Sequence, residues 1–149
     1  MSEFIKTFHA RWGDMDFNGH MRNTAYLDTA GDVRMLFFAE NGFPIAEFTR
    51  LGVGPVIMSD TLEYFRELRL LDPLHVSLVV LAMSEDGSRF KLKNEFKRAD
   101  GKKAAVVTSM GGWMNLAERK LIPAPPQLFE AMKRAPKEGE LEVLPSLPR

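Results

Sequence analysis

The pattern of apolar and polar positions divides the chain into a strand, a long helix and a run of further strands. Residues 4–12 form two alternating sets of positions that contain large and β-branched side chains, which predicts a strand. Residues 23–40 carry apolar side chains around most of a helical circumference, which predicts a helix buried on most sides. Asn41-Gly42 is a helix stop signal, and residues 45–51 form a short helical or looping piece.

Four antiparallel strands are predicted in the following half of the chain. In one of them Phe90, Leu92 and Phe96 alternate with lysine and glutamate, which indicates one buried and one wet face. Gly111 and Gly112 interrupt the last strand and suggest a bulge or a close backbone approach. The predicted strands cover residues 56–71, 74–84, 88–98 and 103–116.

The order of these elements indicates an α+β fold in one domain. A short amphipathic helix is predicted at residues 125–134, and residues 135–149, rich in proline and charge, read as a C-terminal tail or arm. We therefore expect one domain over residues 1–134, in which the sheet curls around the long helix. A single sheet around one helix leaves an edge and apolar area exposed, so we expect a homodimer.

Composition narrows the possible classes of function. The chain has 149 residues, of which 45% are hydrophobic, enough for one domain with a real core. Basic and acidic residues balance at 20 each, which argues against a nucleic acid or an anionic membrane as partner. With no cysteine, disulfides, thiolate metal sites and a cysteine nucleophile are excluded. No signal-peptide or membrane-span pattern is visible, so a cytoplasmic location is expected.

Polar and titratable side chains are concentrated between the first predicted strand and the long predicted helix. Residues 11–23 contain two aspartates, two asparagines, a histidine and two glycines. A carboxylate delivered to a helix start can act as base or nucleophile, while free backbone N–H groups hold a developing oxyanion. The alternative is a turn that merely caps the helix, because these are ordinary turn residues.

The same stretch resembles a known motif. The chain is similar to the hotdog-fold acyl-CoA thioesterases of the 4-hydroxybenzoyl-CoA thioesterase type, over Phe4 to about Pro125. The resemblance implies a curved antiparallel sheet of about five strands around one long central helix, in a homodimer or a dimer of dimers. The family motif Arg-aromatic-x-Asp-x-Asp-x-x-Gly-His-x-x-Asn-x-x-Tyr falls on Arg11, Trp12, Asp14, Asp16, Gly19, His20, Asn23 and Tyr26.

The resemblance also implies roles for individual residues. The family's catalytic carboxylate falls on Asp16, as general base or as nucleophile, two roles that stay open. Plant acyl-carrier-protein thioesterases use an Asp-x-Asn-x-His spacing, which falls on Asp16, Asn18 and His20. The backbone N–H that polarises the thioester carbonyl falls on Asn23. Asn18 and His20 have structural alternatives as turn residues, and Asp14 is expected to be scaffolding.

The same resemblance also indicates which residues would bind the substrate. The acyl pocket should be apolar and lie along the helix, and the CoA arm needs polar or cationic contacts. Tyr26 is expected to pack against either the acyl chain or the partner subunit, and the other acyl candidates have core packing as their alternative. For the two candidates at the nucleotide arm, Ser88 and Arg89, the alternative is a solvated strand surface. The candidates are Phe17, Met21, Tyr26, Met58 and Tyr64 for the acyl group, and Ser88 and Arg89 for the nucleotide arm.

The expected function is therefore hydrolysis of an acyl-CoA thioester to free acid and CoA. No cofactor and no metal are expected, since the three histidines lack ligand spacing. No Gly-x-Ser-x-Gly elbow points to a serine hydrolase. The alternative is a non-catalytic hotdog protein that binds acyl-CoA or acyl-carrier-protein ligands. The acyl chain, and whether CoA or an acyl-carrier protein bears it, stay open.

Overall fold

The computed structural model describes residues 3–148, which form three helices and eight strands in an α+β fold. The helices are α1 (Asn23–Glu40), α2 (Ile45–Leu51) and α3 (Pro126–Arg134). The strands are β1 (Ile5–His9), β2 (Val53–Tyr64), β3 (Pro73–Ser77), β4 (Val79–Ser84), β5 (Arg89–Arg98), β6 (Lys103–Asn115), β7 (Lys120–Ile122) and β8 (Lys137–Leu144).

All eight strands belong to one sheet with β5 and β6 at its centre. On one side β6 pairs with β2, and its last residues also pair with β7. On the other side β5 pairs with both β3 and β4. Beyond them, β1 pairs with β3 and β8 pairs with β4. Every pairing is antiparallel except that of β4 with β8, which is parallel.

Helix α1 packs on the sheet, in contact with β3 and β6. It ends where the sequence predicts, because Gly42 adopts a positive φ of 88° and the Phe43 N–H donates to the Phe38 carbonyl at 2.8 Å. Asp28 and Asp32 lie on its exposed side. Its buried side chains are Ala25, Tyr26, Thr29, Ala30, Val33, Phe37 and Phe38.

The sheet has more strands than the expected five or so. The predicted strand 74–84 is interrupted at Leu78, which leaves the ladder and donates its N–H to the Phe4 carbonyl at 3.1 Å. Residues 137–144 of the expected tail form β8, an edge strand with mostly exposed side chains. An edge strand tolerates polar composition and glycine, so its apolar periodicity is weak.

Two other strands are shorter than predicted. The strand predicted over residues 56–71 leaves the sheet after Tyr64, and the N–H groups of Phe65 and Arg66 both donate to the Ala104 carbonyl. The strand predicted over residues 4–12 stops at His9, before a 3₁₀ turn at Trp12–Asp14. Both departures open loops at the end of the sheet where α1 begins.

The close backbone approach predicted at Gly111 and Gly112 is confirmed. An added Cβ would lie 2.2 Å from the Val56 carbonyl oxygen at Gly111 and 2.6 Å from the Ser88 carbonyl oxygen at Gly112. Only glycine fits between two backbones at such distances. Opposite this point the register of β2 shifts between Ile57 and Ser59.

Candidate active site

The loop between β1 and α1 is a tight hairpin. Met15 and Met21 form an isolated bridge, and the Asp16 N–H donates to the His20 carbonyl at 2.8 Å. Gly19 takes a φ of +78°, the left-handed conformation that glycine adopts without strain. The Met21 N–H donates to the Leu68 carbonyl at 2.8 Å, which fixes the loop against the segment that follows β2.

Asp16 caps this hairpin and keeps a free oxygen. Its Oδ1 accepts the backbone N–H groups of Asn18 at 2.8 Å and His20 at 3.0 Å. Its Oδ2 makes no hydrogen bond to any residue within 3–148, and the side chain is exposed. The carboxylate is therefore oriented by the backbone and has one oxygen available to a water or a ligand.

Asp14 is held in a different way. It is buried, and its carboxylate accepts the backbone N–H and the guanidinium of Arg11 at 3.0–3.3 Å. Burial acts to raise the pKa of Asp14, but the hydrogen bonds and charge of Arg11 outweigh it and hold that pKa below its usual value. Both oxygens are used inside the fold, as expected for a scaffolding residue.

The start of α1 has no side-chain cap. Arg22 occupies the N-cap position, and its side chain makes no capping hydrogen bond. Within residues 3–148, no acceptor is found for the backbone N–H groups of Asn23 and Thr24. Uncapped N–H groups at a helix start carry partial positive charge and are suited to an anionic oxygen.

Asp16 and Asn23 line one cavity of about 470 Å³. His20 and Glu67 are in contact in the wall of this cavity, with 2.5 Å between Nε2 and Oε2. The rings of Tyr26 and Tyr64 meet edge to face at 5.7 Å between centroids. Burial, followed by nearby negative charge, raises the pKa of Tyr26 to about 12, so its hydroxyl keeps its proton at neutral pH. The cavity is lined by Asp16, His20, Met21, Asn23, Tyr26, Tyr64, Phe65, Arg66 and Glu67.

Six of the predicted site residues therefore share the cavity. They come from the hairpin, from the first turn of α1 and from the end of β2: Asp16, His20, Met21, Asn23, Tyr26 and Tyr64. Asn18 contributes its backbone N–H to Asp16 without lining the cavity. Phe17 points to solvent beside a neighbouring cleft that it lines with Trp12.

The remaining candidates lie elsewhere. Met58 is exposed at the bulge of β2. Ser88 is fully buried, with its hydroxyl donating to Asp86 at 2.6 Å. Arg89 begins β5, about 20 Å along the strand from Phe96, which packs against Tyr26. Within one chain the structure does not bring these three residues to the cavity.

The sequence reasoning missed Phe65, Arg66 and Glu67. They lie in the loop that was expected to be strand, so no position relative to α1 was assigned to them. The charged run from Arg66 to Arg69 breaks the apolar alternation of β2 and was the available signal. Arg69 donates to Glu67 at 2.7 Å, and this bond, together with the neighbouring His20, holds the pKa of Glu67 below its usual value.

Two further properties of the structure concern metal-binding groups of side chains and membrane-spanning helices. Among residues 3–148, no group of histidine, aspartate and glutamate side chains is arranged to hold a metal ion. No helix in the same range is both long and apolar enough to cross a membrane.

A family model described as the thioesterase-like superfamily matches residues 10–132, more than four-fifths of the chain. The chain belongs to the thioesterase-like superfamily. The superfamily match includes every residue that lines the cavity, from Asp16 to Glu67.

Solved structures agree with the superfamily fold. A Staphylococcus aureus protein in complex with CoA is 23% identical, with a TM-score of 0.79 over 97% of this chain and 96% of that one. A 1,4-dihydroxy-2-naphthoyl-CoA thioesterase from Synechocystis is 17% identical, with a TM-score of 0.79 over 89% and 97%. The probable thioesterase YbaW from Escherichia coli is 18% identical, with a TM-score of 0.74 over 90% and 99%. At these identities the likeness concerns the fold.

Proposed function

We propose that the protein is a thioesterase that hydrolyses an acyl-CoA to the free acid and CoA. One observation carries the proposal: an oriented carboxylate with a free oxygen, Asp16, lines the same cavity as the uncapped start of α1 at Asn23. Membership of the thioesterase-like superfamily supports the reaction class. A CoA-bound structure of similar fold supports CoA as the carrier.

The chemistry assigns separate tasks to these groups. Asp16 takes a proton from water as general base, or attacks the thioester carbonyl itself to form an anhydride that water then opens. In both routes the carbonyl oxygen becomes an oxyanion, which the N–H groups of Asn23 and Thr24 stabilise without reorganisation. The CoA thiolate departs as a good leaving group, so no strong general acid is needed.

His20 and Glu67 assist by orientation. The short contact between His20 Nε2 and the Glu67 carboxylate fixes the orientation of the imidazole ring at the cavity that Asp16 also lines. We assign the ring to positioning the attacking water. Asn18 acts through its backbone N–H, which orients the Asp16 carboxylate.

We also propose a homodimer formed along β2. Within residues 3–148, this twelve-residue strand pairs only with β6, so its outer edge is free. Met58, Tyr64 and Phe65 are each about half exposed along or just after that edge. A second copy would cover both the open edge and these apolar side chains. A dimer of dimers is a further expectation for the assembly.

The function is tested by release of free thiol from a panel of short, long and aromatic acyl-CoAs. We expect turnover with at least one member, and a fall in kcat of at least about a hundredfold for Asp16→Asn, the scale of acid–base or nucleophilic groups. Asn keeps an acceptor at Oδ1, so the hairpin is preserved. Asp28→Asn, on the exposed side of α1, is the matched control and should keep full activity.

Two outcomes would contradict the proposal at different points. Thiol release from no member of the panel, by protein that still binds acyl-CoA, would favour the non-catalytic binding protein. Full activity in the Asp16→Asn variant would leave a thioesterase but remove Asp16 from its assigned role.

A further inference from the structure

A second polar cluster lies between α1 and β2, away from the loops of the candidate site. Arg34 of α1 donates through a guanidinium nitrogen to the Ser109 hydroxyl at 3.2 Å, and that hydroxyl donates to Asp60 Oδ1 of β2 at 2.5 Å. Ser109 is fully buried, whereas Asp60 is exposed. Three elements thus bring polar groups to a helix–sheet boundary that apolar side chains normally fill.

The cluster lies on the same sides of α1 and β2 as the candidate site. Eleven residues separate Asn23 from Arg34, and at 3.6 residues per turn the two side chains project within about 20° of each other on α1. On β2, Asp60, Leu62 and Tyr64 alternate onto one face. Tyr64 lines the candidate cavity, so both elements lead from that cavity to the cluster.

The surface between the two sites is apolar. Leu27 of α1 and Leu62 of β2 are partly buried and pack against the core. Gly31 precedes Arg34 by one turn, and an added Cβ there would lie 3.7 Å from the Arg34 guanidinium. The separation along β2 is about 13 Å and along α1 about 16 Å. An aromatic acyl group is too short to bridge that distance, whereas an extended chain of about twelve carbons is long enough.

The cluster has unused hydrogen-bonding capacity. Arg34 uses one of its five N–H donors on Ser109, and Asp60 uses one oxygen. No direct ion pair joins Arg34 to Asp60 within the described chain. Burial lowers the pKa of Arg34, against the opposing effect of the Asp60 charge, yet a guanidinium stays charged at neutral pH.

These free groups are complementary to a hydroxyl. A hydroxyl oxygen accepts from Arg34 while its proton is donated to the free oxygen of Asp60. A carboxylate would be attracted by Arg34 but repelled by Asp60, and a methyl terminus would leave the remaining donors of Arg34 and the second oxygen of Asp60 unused. We propose that the Arg34–Ser109–Asp60 cluster is an acyl-chain subsite that recognises a hydroxyl near the far end of a medium-length acyl group. The proposal rests on the proposed thioesterase function and specifies its substrate class.

The test compares two acyl-CoAs of the same length, about twelve carbons, with and without a terminal hydroxyl. We expect the wild type to favour the hydroxylated thioester in kcat/KM by about tenfold or more, the effect of hydrogen bonds to charged groups. Moving the hydroxyl to the third carbon, close to the thioester, should abolish the preference. Equal kcat/KM for the terminally hydroxylated and unsubstituted substrates would overturn the proposal.

Variants assign the preference to the cluster. Asp60→Leu should remove most of the preference, because the carboxylate that receives the proton of the substrate hydroxyl is lost while Arg34 and Ser109 remain. Asp60→Asn keeps an acceptor for the Ser109 hydroxyl and should also lose the preference for the hydroxylated substrate. This second variant covers the case in which Asp60→Leu fails to fold. Glu63→Gln, on the opposite face of β2, is the control and should retain the preference for the hydroxylated substrate. A preference unchanged in both Asp60 variants would place hydroxyl recognition elsewhere.

A binding measurement separates this proposal from the proposed function. Non-hydrolysable thioether analogues of the same two acyl-CoAs give dissociation constants whether or not the protein is a catalyst. Tighter binding of the hydroxylated analogue, lost in Asp60→Asn, supports the subsite even if no thiol is released. Equal binding by an active thioesterase removes the subsite and leaves the function standing.

Discussion

Two turns of this protein are built around an aspartate, and they use it in opposite ways. In the hairpin before α1, Asp16 accepts two backbone N–H groups on one oxygen. In the turn between β4 and β5, Asp86 accepts the hydroxyls of Ser84 and Ser88 and the Ser88 N–H on one oxygen. The Leu147 N–H occupies its other oxygen at 3.1 Å.

The difference separates a carboxylate that fastens the fold from one that is available for chemistry. Partial burial acts to raise the pKa of Asp86, but the hydrogen bonds from Ser88, Ser84 and Leu147 outweigh it and hold that pKa far below its usual range. The C-terminal segment closes over that turn. Asp16 instead lies beside an open cavity, and one of its oxygens accepts no hydrogen bond from the described residues 3–148. The two turns should therefore respond oppositely to the same substitution.

The largest expected contrast comes from Asp16→Asn and Asp86→Asn measured side by side. Asp86→Asn should lower the free energy of unfolding by about 2 kcal/mol, because charge-assisted bonds from two serines are weakened, and leave kcat unchanged. Asp16→Asn should lose activity as described and change stability by less than about 0.5 kcal/mol. Chemical denaturation and thiol release measure the two effects.

Equal losses of unfolding free energy in Asp16→Asn and Asp86→Asn would contradict this distinction, since Asp16 would then be a structural cap of the same kind as Asp86. Asp100→Asn is a useful reference, because that carboxylate fastens an exposed turn through Arg98 and Lys102.

A smaller effect is expected from pH. A carboxyl group whose pKa is lowered by folding stabilises the protein above its unfolded pKa, near 3.8, and loses that contribution as the pH falls toward its folded pKa. The stability difference between the wild type and Asp86→Asn should therefore be constant above about pH 5 and shrink below about pH 4. Denaturation of both proteins at pH 7, 5 and 3 measures it. A difference that grows in acid would contradict the assigned direction.

The smallest expected effect concerns the two glycines of these turns. Gly19 and Gly87 both have positive φ, so alanine strains the backbone at either site by about 1–2 kcal/mol. At Gly19 an added Cβ meets nothing within 4 Å, whereas at Gly87 it would lie 3.1 Å from the Phe129 ring. Gly87→Ala should therefore cost about 1 kcal/mol more than Gly19→Ala in thermal or chemical unfolding. Equal costs would mean that the β4–β5 turn is not tightly packed.

The sequence predicts helix limits and backbone approaches best where a single residue type, such as glycine, determines the local structure. The limits of α1 follow from its apolar length and from the Asn41-Gly42 stop. The close approach at Gly111 follows from the presence of glycine in a long strand. In both places the local chemistry allows few alternatives, so the sequence suffices.

Features that depend on distant partners were not predictable in this way. Glu67 meets His20 only because the chain leaves the sheet after Tyr64, and nothing local to Glu67 signals that partner. The polar residues of β8 fit an edge strand as well as a tail, and the pairing with β4 decides between them. Asp60 reads as an interruption in an apolar strand until Ser109 and Arg34 are placed beside it.

The two edges of the sheet limit how many copies of the protein can associate by strand pairing. One edge is the continuous β2, whereas the other is split between the short β1 and the mostly polar β8, which run in opposite directions. A split edge of this kind presents no long row of unpaired backbone N–H and C=O groups with which another strand could pair. If two copies join through β2, each new edge is therefore a split one, and the sheet stops growing at two copies. The break at Leu78, which separates β3 from β4, thus leaves this edge of the sheet without one continuous strand.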